Sequence, residues 1–274
     1  MKINFTKKLN FWQLKLFAQS KKINDYLLLH QALKQGAIKD KNINLLKKFI
    51  ESFKNVNDIK SQLYQDVFAL FVIGNQFDKT FLEFGATDGL ELSNSHMLEN
   101  SFNWKGVLSE PSLQWHEALK KNRKNTKIIT KCIWSETGKD LDFYMSDDGV
   151  YSTLNNYVDS DKDSMPENTK LRKKSGKIIK VNTISLNDLI KDYFDNKSPS
   201  YISIDTEGSE YVILKSLDFE NYRPKVFTVE HNFSELESKI DDLMKLNSYE
   251  RIFSDLTAFD AWYVSKETLK ELDF

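Results

Sequence analysis

One stretch, Phe81-Leu82-Glu83-Phe84-Gly85-Ala86-Thr87-Asp88-Gly89, constrains the fold of this chain more than any other. Residues 80–84 are β-branched and aromatic, the composition of a buried strand. Gly85 and Gly89 bracket a turn in which the backbone can take φ > 0 or approach a ligand closely. The spacing that follows predicts a helix over 90–100, with Leu92, Met97 and Leu98 facing inward. Strand, glycine turn and helix in that order make the nucleoside-binding corner of an open α/β sheet.

The rest of the chain extends that corner into an alternating pattern. Strands are predicted over 105–109, 127–133, 201–204 and 225–229, and short apolar runs over 141–145 and 178–181. Helices are predicted over 61–74, 112–121, 185–194, 209–217 and 235–246. Residues 249–253 and 261–264 close the sheet as a hairpin. Such alternation implies an α/β fold with a mostly parallel sheet covered on both faces. An antiparallel last strand is tolerated at one edge. Residues 146–176 interrupt the pattern: they are polar, contain Gly149 and Pro166, and end in Lys170, Arg172, Lys173 and Lys174. A loop of that length in a compact domain is a lid, a binding loop or disordered.

The first 60 residues differ in character. They are rich in Lys, Asn and Leu, and Ile43, Leu46, Phe49, Ile50 and Phe53 recur at helical spacing. The expected organisation is an N-terminal α-helical extension over 1–60 and a main domain over 61–274. The extension packs on that domain or on a second copy, giving a homo-oligomer; a membrane-surface helix at residues 11–17 is the minor alternative.

At 274 residues the chain can bury a full core, and a net charge of −1 exerts no pull toward nucleic acid or membrane. A single cysteine, Cys132, rules out an intrachain disulfide framework and fits a reducing cytoplasm. No signal-peptide pattern and no bilayer-length apolar run is present, so the expected location is cytoplasmic, without stable membrane insertion.

Candidate site residues gather at predicted strand ends. Glu110, in Leu108-Ser109-Glu110-Pro111, lies about twenty positions after the glycine turn, where an acid holds ribose hydroxyls. The turn lacks G-x-G-x-x-G, which brings a pyrophosphate to a helix N-terminus. Glu83 and Asp88 flank it instead, and negative charge there suits the ammonium and sulfonium of S-adenosylmethionine better than a diphosphate. Gly85, Ala86 and Gly89 complete this donor corner. Ile133 and Trp134 end the third strand, where such folds hold adenine. A second cluster is Ile204-Asp205-Thr206-Glu207-Gly208-Ser209-Glu210, and a third is Val229-Glu230-His231. Adjacent parallel strands would bring Asp205, Glu207, Glu230 and His231 into one pocket. Asp205, Glu230 and His231 suit a divalent metal such as Mg, Mn or Fe(II). Without metal, His231 or one of the acids is a general base, with Asp205, His231 and Glu207 as the catalytic candidates. Tyr151 and Ser152 in the long loop are the candidate acceptor contacts, with the nearby basic cluster poised over a polar or phosphorylated acceptor.

In order and spacing these clusters resemble the FkbM family of S-adenosylmethionine-dependent methyltransferases. The matching residues are Ser61-Gln62 with Gln65-Asp66, the run from Phe81 to Gly89, Trp104-Lys105-Gly106-Val107-Leu108-Ser109-Glu110-Pro111, and Ile204 to Glu210. The last is similar to the family's Lys-Ile-Asp-x-Glu-Gly-x-Glu, with Ser203 in place of the lysine. The resemblance covers about residues 61–265. It implies a class I Rossmann-like methyltransferase sheet with one antiparallel edge strand, and O-methylation, often of sugar hydroxyls. The acids at successive strand ends are also similar to metal-dependent catechol-type O-methyltransferases, a fold analogy only.

The resulting expectation is an enzyme that methylates a hydroxyl of a nucleotide-linked sugar or of a capsular or surface polysaccharide residue. Two alternatives stand beside it: a catalytically inactive S-adenosylmethionine-binding scaffold, and a nicotinamide-dependent sugar-nucleotide enzyme. Turnover separates the first, and the missing pyrophosphate loop weighs against the second. Nucleic-acid methylation is not expected, because there is no Asn/Asp-Pro-Pro-Tyr run and no basic stripe.

Overall fold

The computed structural model describes residues 43–272 apart from residue 255, so the stretch at 11–17 and most of the expected N-terminal extension lie outside the described residues. In chain order the elements are α1 (Ile43–Ser52), α2 (Gln65–Ile73), β1 (Thr80–Phe84), α3 (His96–Phe102), β2 (Lys105–Ser109) and α4 (His116–Asn122). They continue with β3 (Lys127–Ile129), β4 (Cys132–Trp134), β5 (Asp140–Ser146), β6 (Thr153–Leu154), α5 (Pro166–Lys174), β7 (Gly176–Ser185) and α6 (Leu186–Tyr193). The last part comprises β8 (Tyr201–Ile204), α7 (Glu210–Ser216), β9 (Val226–Glu230), α8 (Leu236–Leu246), β10 (Tyr249–Ile252), β11 (Asp260–Ser265) and α9 (Lys266–Glu271).

Seven strands form the main sheet in the order β10-β11-β9-β8-β1-β2-β3. All run parallel except β11, which is antiparallel to both β9 and β10. The hairpin expected at the end of the chain therefore forms, but its antiparallel strand lies one place in from the edge. Its outer partner β10 closes the sheet. This is the α/β order of a class I Rossmann-like sheet, with β1 and β8 at its centre.

Side chains alternate across these strands, and the alternation sorts the sheet into two unlike faces. One face carries Leu82, Phe84, Ile202, Ile204, Phe227, Val229, Ala261 and Tyr263, all buried against α6, α7 and α8. The other face is apolar at one end only, where Phe81, Tyr201, Val226, Trp262 and Val264 meet α1 and α2. Two residues further along the same strands it becomes polar, with Glu83, Ser203 and Thr228, then Glu230 opposite Asp260. The carboxylates thus share one face at the carboxyl ends of the parallel strands.

Three sequence expectations change in detail. The helix expected from residue 90 begins only at His96, because Leu92 sits at φ 60 and the preceding loop is held by Glu83. The strand expected over 127–133 is split: β3 stays in the main sheet, and β4 leaves it to pair with β7 in a second sheet of order β4-β7-β5-β6. The long polar segment is folded. It contains β6 and α5, the latter started by Pro166, whose missing N–H costs nothing in the first helical turn. Among the described residues no helix is long and apolar enough to cross a membrane.

Helix α1 packs into the core. Phe49 stacks on Phe253 at 5.2 Å between ring centroids and meets Phe68 and Trp262 edge-on at 5.9 Å each. Phe49→Ala should therefore lower stability by about 3–5 kcal/mol in a urea unfolding curve, the usual cost of deleting a buried aromatic ring.

Candidate functional site

The glycine turn after β1 is set by close backbone contact. Gly85 lies at φ 78, and a Cβ there would sit 1.9 Å from the carbonyl oxygen of Asp205. Its N–H donates to Ser109 O at 3.2 Å, and the N–H of Asp205 donates to Phe84 O at 3.3 Å. Only glycine lets the ends of β1, β2 and β8 come this near. Together they wall a cavity of about 580 Å³ that is also covered by residues of the segment between β5 and α5.

Of the expected donor residues, Glu83, Gly85, Ala86, Asp88, Glu110 and Ile133 line this cavity. Gly89 does not: it sits at φ 72 under Leu119 and Arg123. Trp134 also lies elsewhere, edge-on to Tyr157 at 6.1 Å, and Cys132, Trp115 and Thr87 take its place on the wall. Glu110 is buried and accepts the N–H of Thr87 and the N–H of Ser112, both at 2.8 Å. Burial pushes its carboxyl up to about 7 although both N–H groups favour the anion. Each carboxylate oxygen keeps a further acceptor position. Asp88 caps its own turn, accepting Leu90 N–H and Glu91 N–H at 2.9 Å.

Glu83 has a different role. It is buried and accepts Asn94 N–H at 2.7 Å, Ser93 Oγ at 3.0 Å and the Ser95 hydroxyl. The fully buried Arg123 lies 3.9 Å from it and also holds Ser93, Ser95, Gly89 O and Glu99. Glu83 therefore fixes the loop that forms one wall, and its charge is compensated from within the protein. Asn94 in turn donates from its side-chain amide to the Ser203 hydroxyl at 2.9 Å.

At the floor of the cavity Asp205, Glu207 and Glu230 bring carboxylate oxygens within 4.8 Å of one another. Asp260 lies opposite Glu230 in the β9–β11 register and is held by Gln65 Nε2 at 2.8 Å. Burial, with Asp260 and Glu210 nearby, raises the Asp205 carboxyl to about 7. Glu230 is raised well above its ordinary value by burial and by Asp205 and Glu207, and its Oε2 has no hydrogen-bond partner. Glu207 is raised by burial and by Asp205, against the pull of Arg172 2.7 Å away. A left-handed φ of 58 at Glu207 turns that side chain into the cluster.

His231 does not join them. Its Nδ1 accepts Phe233 N–H at 3.0 Å, and its Nε2 lies 3.2 Å from the Arg251 guanidinium. Burial lowers it to about 4, with Arg251 adding to the effect, so the ring is neutral at pH 7. In the set of ligand atoms that can meet one ion, Glu207 stands where the sequence pattern had put His231. One residue of chain direction decides this: along β9 Glu230 faces the cavity, and the next side chain turns away.

Tyr151 and Ser152 both line the cavity. Arg172, expected in an exposed basic cluster, is fully buried. It donates to Tyr151 O at 2.9 Å, Val158 O at 3.0 Å, Asp161 at 2.8 and 3.3 Å, and Glu207 at 2.7 Å. All five donors are used, so Arg172 binds the segment to the site and is not available to an acceptor phosphate. Lys170 and Lys173 pair outside with Glu167 and Asp159. Sequence reasoning missed Arg172 and Asp260; the available signal for Asp260 was an acid opening an otherwise apolar strand.

A family model for the methyltransferase FkbM domain matches residues 83–253, from the end of β1 to just past β10. The chain belongs to the FkbM methyltransferase family. A comparison with curated proteins finds no match. Among solved structures, the FkbM chain is similar to an O-methyltransferase from Bacillus cereus in complex with SAH, at 10% identity over 90% of this chain and 100% of that one, TM-score 0.39. It is also similar to precorrin-6Y C5,15-methyltransferase from Geobacter metallireducens, at 10% identity over 73% and 85% of the two chains, TM-score 0.39. An SAH-bound methyltransferase from Podospora anserina gives 8% identity over 90% and 97%, TM-score 0.39. The family match and the strand order carry the assignment; these distant likenesses do not.

Seven buried acids of the FkbM site and its surroundings (Asp66, Glu110, Asp205, Glu207, Glu210, Glu230 and Asp260) are raised by burial above their unfolded values. Stability from a raised acid is complete below the unfolded pKa and is lost as pH rises through the folded one. Chelator-treated protein should therefore melt at progressively lower temperature between pH 5 and pH 8. Asp205→Asn should flatten this fall and gain roughly 1–2 kcal/mol at pH 8 by chemical denaturation.

Proposed function

We propose that this chain is an S-adenosylmethionine-dependent O-methyltransferase acting on a hydroxyl of a sugar. The observation that carries the reading is the convergence of Asp205, Glu207 and Glu230 on the floor of a cavity walled by the glycine turn and Glu110. The donor set fits a sulfonium nucleoside. Glu110 offers acceptor positions to ribose hydroxyls, and Cys132 and Ile133 offer an apolar surface to a base. Burial holds the Cys132 thiol up at about 12, so it serves as a wall and not as a nucleophile. Thr87 N–H is taken by Glu110 and Leu90 and Glu91 N–H by Asp88, and these carboxylates disfavour a nicotinamide dinucleotide's diphosphate at the turn.

Bound S-adenosylmethionine supplies the electrophilic methyl group. The chain's own part is to place an acceptor oxygen in line with it and to take the hydroxyl proton. Asp205 is the residue suited to that transfer. Its carboxyl is poised near neutrality, and a hydrogen bond from Glu230 favours its anion. As the oxygen–carbon bond forms, the hydroxyl proton passes to Asp205 and the sulfur departs with its electron pair as S-adenosylhomocysteine. Alignment of the two reactants supplies much of the rate. Glu207, held by Arg172, keeps the third carboxylate in place.

A divalent cation fits the same three carboxylates, and the unpartnered Glu230 Oε2 is an oxygen such an ion would use. Held there by Asp205, Glu207 and Glu230, Mg or Mn would supply positive charge to the developing alkoxide. The metal-free reading is favoured by the Asp205 carboxyl at about 7, which makes it a competent base alone. The reducing cytoplasm is the compartment that the free, buried cysteine suits.

Release of S-adenosylhomocysteine in the presence of sugar acceptors tests the reading. Asp205→Asn should lower kcat at least 100-fold with S-adenosylhomocysteine affinity within about threefold, the split expected of a group acting in the transition state. Glu110→Ala should instead weaken donor binding about tenfold or more by calorimetry, the loss of a buried charge-assisted contact. Turnover should rise with pH through about 7 as Asp205 loses its proton. Dialysis against chelator separates the metal-assisted route, which loses activity and regains it with Mg or Mn, from the metal-free one.

A further inference from the structure

The chemistry of the cavity lining narrows the acceptor, on the reading given above. Nine carboxylate residues line the cavity, and no lysine, arginine or histidine does so among the described residues. The buried Arg172 beside Glu207 spends all its donors inside the protein.

Backbone sites for an anion are occupied as well. N–H groups at strand-end turns and helix starts are the usual seats of phosphate. Here the turn after β1 gives Thr87 N–H to Glu110 and Leu90 and Glu91 N–H to Asp88, and the start of the segment after β2 gives Ser112 N–H to Glu110. At the end of β8 Glu210 accepts Thr206 N–H and Gly208 N–H, both at 2.9 Å. Each of these turns already holds one of the chain's own carboxylates. A phosphate entering there would meet like charge.

The mouth has a different character. Leu92, Val150 and Leu171 come from three separate segments, line the cavity, and are 42%, 40% and 38% exposed. Trp115 and Met165 also line the cavity. A cavity of 580 Å³ is the size filled by one drug-sized ligand. On that reading the donor would fill the part of the cavity at the glycine turn and Glu110, which leaves this apolar rim to the remaining body of an acceptor reaching Asp205.

We infer that the acceptor is a phosphate-free glycoside with an apolar aglycone, its sugar hydroxyl directed to Asp205 and its aglycone lying across Leu92, Val150 and Leu171. Sugar nucleotides are disfavoured by the same acidic lining that suits a cationic donor.

The test is acceptor binding by titration calorimetry to full-length protein saturated with S-adenosylhomocysteine, with methyl transfer measured in parallel. The probes are octyl glycosides of several hexoses below micelle formation, the matching methyl glycosides, and the matching nucleoside-diphosphate sugars. At least one octyl glycoside should bind tenfold or more tighter than its methyl counterpart and than its nucleotide-sugar counterpart. The double variant Val150→Ser, Leu171→Ser should remove that preference while S-adenosylhomocysteine affinity stays within about twofold. Equal or tighter binding of a nucleotide sugar overturns the inference, as does failure of every octyl glycoside to bind or a preference that survives the double variant. Glycoside binding without methyl transfer would uphold it and sink the O-methyltransferase reading instead. Methylation of a nucleotide sugar would do the reverse.

Discussion

The contact between Gly85 and the backbone of Asp205 is the constraint on which the site depends. A β-carbon at residue 85 would overlap the Asp205 carbonyl, so the two central strands can end side by side only with glycine there. That proximity brings the donor turn of β1 next to the carboxylate that ends β8. It also sets Glu110 within reach of Thr87 N–H and so ties the end of β2 to the same turn. The cavity follows from three strand ends meeting at one glycine.

Placing several carboxylates on one sheet face costs desolvation, and the protein compensates for it unevenly. Glu83 is met by Arg123 and three donors of the following loop. Glu207 is met by Arg172, and Asp260 by Gln65. Asp205 and Glu230 receive least, and Glu230 keeps one oxygen without a partner. The compensated acids hold walls in place, while burial and neighbouring carboxylates raise the other two above their ordinary values. Strain of this kind concentrated at one spot is typical of a site under functional demand.

The sheet was legible from its strands because their periods are local. Apolar runs followed by acids at residues 84–88, 204–210 and 229–231 announce buried strands whose ends face a crevice. The elements that misplaced themselves did so for tertiary reasons. Residues 90–95 have helical spacing but are drawn into a loop by Glu83, whose need for partners outweighs the propensity of a single turn. Strand 127–133 divides because its second half pairs better with β7. His231 could be placed at the right strand end but not on the right face, since its orientation follows from the Asn232–Phe233 turn at φ 47 and 53.

What the sequence by itself determined is the alternation that makes one face of the sheet apolar, the glycine that permits close strand ends, and the acids that mark their termini. These depend on neighbours within a few residues. Which charges meet was decided only by the tertiary structure. Arg172 finds Glu207 across 35 residues, and Gln65 finds Asp260 across 195. A charge read from the sequence has no fixed strength, because its energy depends on the distance to its partner and on the water removed around both. Folding turned one arginine of a basic cluster into an internal anchor and raised an aspartate carboxyl to about 7.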